Sequence, residues 1–143
     1  MNVFYADTSA VMKLIVDEAH TSAMAVFFDD HEDWDWASSA LLRVEVARAI
    51  SRIQPALLPD ARELLDLFSY IEIDDDVVDR AMVEPDQGLR SLDAIHLATA
   101  RVFGDDLTAL VTYDERLLRA ATDAGLPVAS PSWETLAAPT APD

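Results

Sequence analysis

Cysteine is absent from the 143 residues, which removes disulfides and thiolate ligation and leaves only oxygen or imidazole donors for any metal ion. Basic residues are scarce. Ten lysines and arginines, with Lys13 the single lysine, face 27 acids for a net charge of −17. That imbalance works against long-range attraction of a naked polyanion. Two readings fit it: a solvated acidic surface suited to a saline cytoplasm, or acidity that includes a cation site and draws in a basic protein partner. No apolar run approaches the roughly 20 residues of a membrane span, and no charged stretch followed by an apolar one opens the chain as a leader would. The expectation is one cytoplasmic domain, long enough for a core of its own, with 51% hydrophobic residues to build it.

What the chain does have is alternation of strands and helices. Val3-Phe4-Tyr5-Ala6 reads as a strand covered on both faces, and it ends on Asp7 before Thr8-Ser9 and a helix to about Val16. A carboxylate at the C-terminal tip of a strand in an open α/β sheet points into the ligand crevice, although the same residue also serves as an ordinary helix N-cap. A second helix over 23–28 leads to the acidic loop 29–33, with His20 and His31 in polar connections as surface residues. Trp34-Asp35-Trp36-Ala37-Ser38 alternates like a short strand of the edge type, and Ser38 or Ser39 caps a largely buried helix over 40–53. Glu45 is set among that helix's apolar residues, where it needs a partner, a proton or a cation; an intrahelical pair with Arg48 is the plain alternative.

Asp60 is expected to cap a helix over 61–68, and 70–73 reads as a strand. Asp74-Asp75-Asp76 lacks the glycine and the trailing glutamate of a calcium loop and reads instead as the cap of a helix over 77–83. Ser91 caps a helix of small and apolar residues, with Asp93 in its first turn and His96 one turn on, a packed and hydrogen-bonded histidine rather than a ligand. Thr108 to Tyr113 repeats the opening pattern, a buried strand running into Asp114 and a helix over 115–124 that Gly125 ends. A last short strand covers 127–129, and the tail from 134 to 143 is expected to be disordered.

Strands alternating with helices imply a parallel sheet covered on both faces, with every strand's C-terminus on one edge. Asp7 and Asp114 belong to that edge. If Glu45 and Asp93, each near a helix's beginning, reach the same crevice, four carboxylates gather without four balancing bases and repel one another. A hard divalent cation, magnesium or manganese, relieves that repulsion, with Thr8, Ser9 and Thr112 as supporting hydroxyls. Such ions activate water and clamp the oxygens of a phosphoryl displacement, which is nuclease chemistry.

Phe4 to Leu14 with Asp7-Thr8-Ser9, the helix centred on Glu45, Leu92-Asp93-Ala94-Ile95-His96-Leu97-Ala98 and Thr112-Tyr113-Asp114-Glu115-Arg116-Leu117 together resemble the PIN-domain ribonucleases, most closely the VapC toxins of toxin-antitoxin systems. The resemblance runs from Phe4 to about Trp133, so that residues 1–133 form the nuclease domain. It implies a three-layer α/β/α sandwich and a magnesium-dependent endoribonuclease that leaves a 3'-hydroxyl and a 5'-phosphate. It further implies Asp7, Glu45, Asp93 and Asp114 as catalytic and metal-binding residues, with Ser9 and Thr112 in support. The partners it implies are RNA, a small antitoxin whose basic C-terminal segment lies across the site, and a second copy of the toxin.

Two other α/β enzymes with acidic strand tips fit poorly. A phosphoacceptor receiver domain needs an acidic pair after the first strand and a late lysine, whereas Thr8 follows Asp7 and Lys13 stands alone. A haloacid-dehalogenase-type phosphatase needs a second Asp two residues after its nucleophile, where this chain has Ser9. The stronger rival is a module of the same fold that acts through its partner with little turnover.

Overall fold

The structure, a computed structural model, describes residues 2–137. Its strands β1 (Val3–Ala6), β2 (Asp35–Ser39), β3 (Ser69–Ile71), β4 (Leu107–Val111) and β5 (Val128–Ala129) pair in parallel in the order β3-β2-β1-β4-β5. The first strand of the chain is therefore the central one, as four consecutive buried residues require. Strand alternation sends Phe4 and Ala6 to one face of the sheet and Tyr5 to the other. β2 is interior rather than an edge, because β3 pairs with it from Ala37↔Ser69 to Ser39↔Ile71. Its alternating polar residues misled because Ser38 is not solvated; it donates to the Ala6 carbonyl on the neighbouring strand at 2.6 Å.

The helices are α1 (Thr8–Lys13), α2 (Thr21–Asp30), α3 (Leu41–Ile53), α4 (Leu58–Leu65), α5 (Asp75–Met82), α6 (Ser91–Arg101), α7 (Glu115–Asp123) and α8 (Trp133–Ala137). α1 to α4 share the core that holds Phe4, while α6 and α7 share the one that holds Tyr5, which gives the α/β/α sandwich. In α3 the buried stripe is Leu42, Val46 and Ile50, four residues apart, and each such side chain removed from water contributes about 1.5–3 kcal/mol. Val44 and Ile53 are 56% and 57% exposed, so α3 is amphipathic rather than largely buried.

Several helix starts differ from expectation. α2 begins after His20, whose φ of 67° is left-handed, and no side chain caps it. Thr21 instead accepts from the Glu18 N–H and donates to the Val16 carbonyl, which makes the turn itself. α4 starts at Leu58 after a 3-10 turn over Pro55–Leu57, leaving Asp60 in the first turn rather than at the cap. Ser91 is the first residue of α6 and Arg90 takes the cap position. Asp74 caps α5 as expected, accepting from the Val77 N–H at 2.9 Å. Gly125, at φ 81°, ends α7 in the left-handed conformation that a Cβ disfavours.

His31 is not a plain surface residue, since its ring packs against Phe4, Phe27 and Trp34 and its Nδ1 meets the Phe27 carbonyl at 2.7 Å. His20 is exposed but stacks on Tyr113 at 5.7 Å. Of the segment expected to be disordered, Glu134–Ala137 lie in α8, and 138–143 fall outside the described residues. Among the described residues no helix is long and apolar enough to cross a membrane.

Candidate active site

Parallel strands deliver their C-terminal ends to one edge, and at the tip of central β1 stands Asp7, only 2% exposed. It is both the N-cap of α1 and a buried carboxylate facing the crevice. Oδ1 accepts from the Ala10 N–H at 3.0 Å and from Ser9 Oγ at 2.7 Å, and Oδ2 accepts from Thr112 Oγ1 at 2.7 Å. The two hydroxyls in turn accept from the backbone of the β4 exit, Ser9 from the Tyr113 N–H at 2.8 Å and Thr112 from the Asp114 N–H at 3.0 Å. Both hydroxyl protons are thus committed to Asp7, and the tips of β1 and β4 are tied together through one carboxylate. Burial pushes the Asp7 carboxyl above the usual range; His96 and the three donors pull it back without winning.

Asp114 follows β4 and caps α7, its Oδ1 accepting from the Arg116 and Leu117 N–H groups at 2.9 and 3.1 Å. Glu45 arrives from the other neighbour of β1, through the α3 that follows β2. Its Oε1 accepts from Thr8 Oγ1 at 2.8 Å and meets Nε2 of His96 at 2.7 Å, so the intrahelical pair with Arg48 does not form. His96 is 1% exposed, and its Nδ1 lies 2.7 Å from the Tyr5 hydroxyl. Burial keeps the Tyr5 phenol protonated, and His96 bridges that hydroxyl to the Glu45 carboxylate through its two ring nitrogens.

Asp93 stands one turn before His96 on α6. Partial burial, then the Asp114 and Asp7 carboxylates, push it up to about 6; Glu45 adds to the rise and His96 opposes it. Asp7, Glu45, Asp93 and Asp114 line one cleft of about 300 Å³ with Thr8, Ser9, His96 and Arg90. Among the described residues no three His, Asp or Glu side chains form a ready-made cation cage. A groove of about 330 Å³ between α5 and α6 is lined mainly by apolar side chains and lacks such convergence.

This architecture has relatives. The profile described as PIN domain matches residues 4–123. The chain belongs to the PIN-domain family. This PIN domain is 44% identical over 131 residues to Ribonuclease VapC35 of Mycobacterium tuberculosis (strain ATCC 25618 / H37Rv), spanning 90% of the chain and 97% of the relative. To Ribonuclease VapC46 of the same strain it is 38% identical over 132 residues, spanning 92% and 100%. A toxin-antitoxin complex from Klebsiella pneumoniae superposes with a TM-score of 0.65 at 24% identity, covering 92% of this chain and 98% of that one. VapBC2 from Rickettsia felis, bound to a DNA fragment from its promoter, superposes at 0.68 with 13% identity, covering 91% and 99%. Both structures share the fold.

The four acids expected at the site of this PIN domain, Asp7, Glu45, Asp93 and Asp114, all line the cleft, and Thr8, Ser9 and Thr112 bond to two of them. Two contributors went unread. Tyr5 counted only as an apolar strand residue, yet its hydroxyl holds the Nδ1 side of His96 at 2.7 Å. Arg90 lines the cleft beside the acids; its place just before the start of the Asp93 helix was the available signal.

Proposed function

We propose that this chain is the ribonuclease toxin of a type II toxin-antitoxin pair, an endoribonuclease dependent on magnesium or manganese. One observation carries the reading: Asp7, Glu45, Asp93 and Asp114 come from four separate segments to one cleft whose only arginine is Arg90. The donors are hard oxygens bearing unbalanced negative charge, which fits a small divalent cation. With no closed cage among the described residues, Asp7, Glu45, Asp93 and Asp114 would hold such an ion from one wall of the cleft, with water completing its shell, as magnesium favours. When bound, the ion supplies a Lewis acid and an activated water at the scissile phosphodiester.

The chain's own residues do the positioning. Asp7 is immobilised by its three donors, with Ser9 and Thr112 as the supporting hydroxyls. Thr8 and His96 hold Glu45 by one oxygen, which frees the other for the cleft. Asp93 and Asp114 complete the acidic wall. Charge complementarity also supports an antitoxin with a basic C-terminal segment, which would screen the same four acids. That the solved neighbours are toxin-antitoxin assemblies points to the same kind of partner. Homodimerisation and a cytoplasmic location belong to the same proposal.

The test is incubation of the purified protein with RNA in magnesium, with and without chelator. Expected is cleavage that chelator stops and that Asp7→Asn or Asp93→Asn abolishes while the circular dichroism spectrum is unchanged. Undiminished cleavage by both variants would overturn the site; absence of cleavage by the parent protein would favour the partner-binding module.

A further inference from the structure

Arginine is distributed unevenly on this acidic protein. Arg48 and Arg52 on α3 and Arg62 on α4 line one open groove of about 460 Å³, together with Ala47, Ser51 and Leu58. All three arginines are exposed, and the ion pairs among the described residues, Lys13–Glu18, His96–Glu45 and Arg101–Glu84, leave them unpaired. That is unusual where 27 acids surround ten bases. Asp60 lies in the first turn of α4 and Asp66 is its C-cap, yet neither reaches an arginine within 4.0 Å.

The placement adds direction. Glu45, Arg48 and Arg52 occupy positions i, i+3 and i+7 of α3, one face of the helix. At 1.5 Å per residue, Arg48 lies about 4.5 Å and Arg52 about 10.5 Å along the axis from the Glu45 level. A positive track thus leaves the carboxylate cleft on the β2 side. On the β4 side, Arg90 and Arg116 stand beside Asp93 and Asp114. Guanidinium groups bind phosphate by two parallel hydrogen bonds, and a cluster of them without acidic partners holds phosphates against an otherwise repulsive surface.

We infer that the α3–α4 arginine groove holds the phosphodiester backbone of the RNA substrate at nucleotides beyond the scissile bond, so that the strand crosses the acidic cleft between two basic flanks. The inference rests on the ribonuclease reading and specifies how the strand is oriented at that same site. Arg52 and Arg62 are not part of the acidic cleft, so they can be altered without touching the proposed ion ligands.

The experiment measures binding, not cleavage. Fluorescence anisotropy of a labelled 20-nucleotide oligouridylate is followed against salt concentration, with chelator present so that no strand is cut. Arg52→Gln/Arg62→Gln is compared with Arg80→Gln/Arg119→Gln, which makes the same charge change on other exposed surfaces. At about 0.7 per phosphate contact, the log–log salt slope of the groove variant should fall by about 1.4, with affinity at 0.1 M salt down about tenfold. The control pair should keep the parent's slope, and Arg52→Lys/Arg62→Lys should restore most of the loss. Equal losses in groove and control variants, or none in either, would overturn the inference. A groove variant with an unchanged slope but an altered sedimentation coefficient would also overturn it, assigning the arginines to a protein interface. If the parent binds the strand through these arginines yet never cuts it in magnesium, the ribonuclease reading fails while the groove stands.

Discussion

His96 has both ring nitrogens engaged at 2.7 Å, one by Tyr5 and one by Glu45, inside a site where it is almost wholly buried. It touches neither substrate nor ion in the proposed reaction; it is a positioning residue that acts through the Glu45 carboxylate. His96→Leu keeps the packing volume roughly but leaves Tyr5 and Glu45 each short of a partner. The expected cost is about 1–3 kcal/mol in urea denaturation, chiefly for the buried Tyr5 hydroxyl that loses its ring partner, since Glu45 keeps the bond from Thr8. Metal affinity, read by manganese titration, should fall about 10–100-fold, the usual penalty for removing such a support. His96→Gln, which can still donate to Glu45, should recover part of the affinity. An unchanged titration in His96→Leu would reduce His96 to a packing residue.

Two of the four acids also serve their elements, and this separates what different substitutions report. Asp7 begins α1 and Asp114 begins α7, each accepting helix N–H protons while lining the cleft. Asn caps nearly as well as Asp, whereas Ala does not. Asp114→Ala should therefore cost about 1 kcal/mol by chemical denaturation and Asp114→Asn close to nothing, while both lose RNA cleavage. Equal stability of the two would remove the capping role. The same doubling explains why strand tips were legible in the sequence: a buried apolar run followed by Asp and a helix signals a cap and a crevice acid at once. What was not legible depended on distant partners. β2 looked like an edge because the groups that satisfy Ser38 and cover Trp36 lie on other elements. His31 looked exposed because the rings around it come from β1, α2 and the turn before β2. Glu45 was placed in a buried setting, but its partner His96 is 51 residues away.

For the molecule as a whole, clustered acids make stability depend on pH and on cations. Asp93, held at about 6, binds its proton more tightly folded than unfolded, so its stabilising contribution is full below about pH 4 and is lost as pH rises through 6. Asp7 shifts in the same direction and adds to the loss. With the screening expected of a half-buried group, Asp93 alone contributes on the order of 1 kcal/mol, a few degrees in Tm. Thermal melts in chelator should show Tm falling between about pH 4 and pH 6.5, and magnesium or manganese at neutral pH should restore it. A flat profile, or no response to either ion, would count against the strained acidic wall.

The bond from Thr112 to Asp7 spans 105 residues of sequence. A polypeptide still emerging from the ribosome therefore has its first acid but none of the β4 scaffold that fixes it, and Asp114 arrives later still. The site's geometry is therefore assembled only after β4 has emerged, so N-terminal fragments that stop short of it keep Asp7, Glu45 and Asp93 without the Thr112 hydroxyl that fixes the first of them.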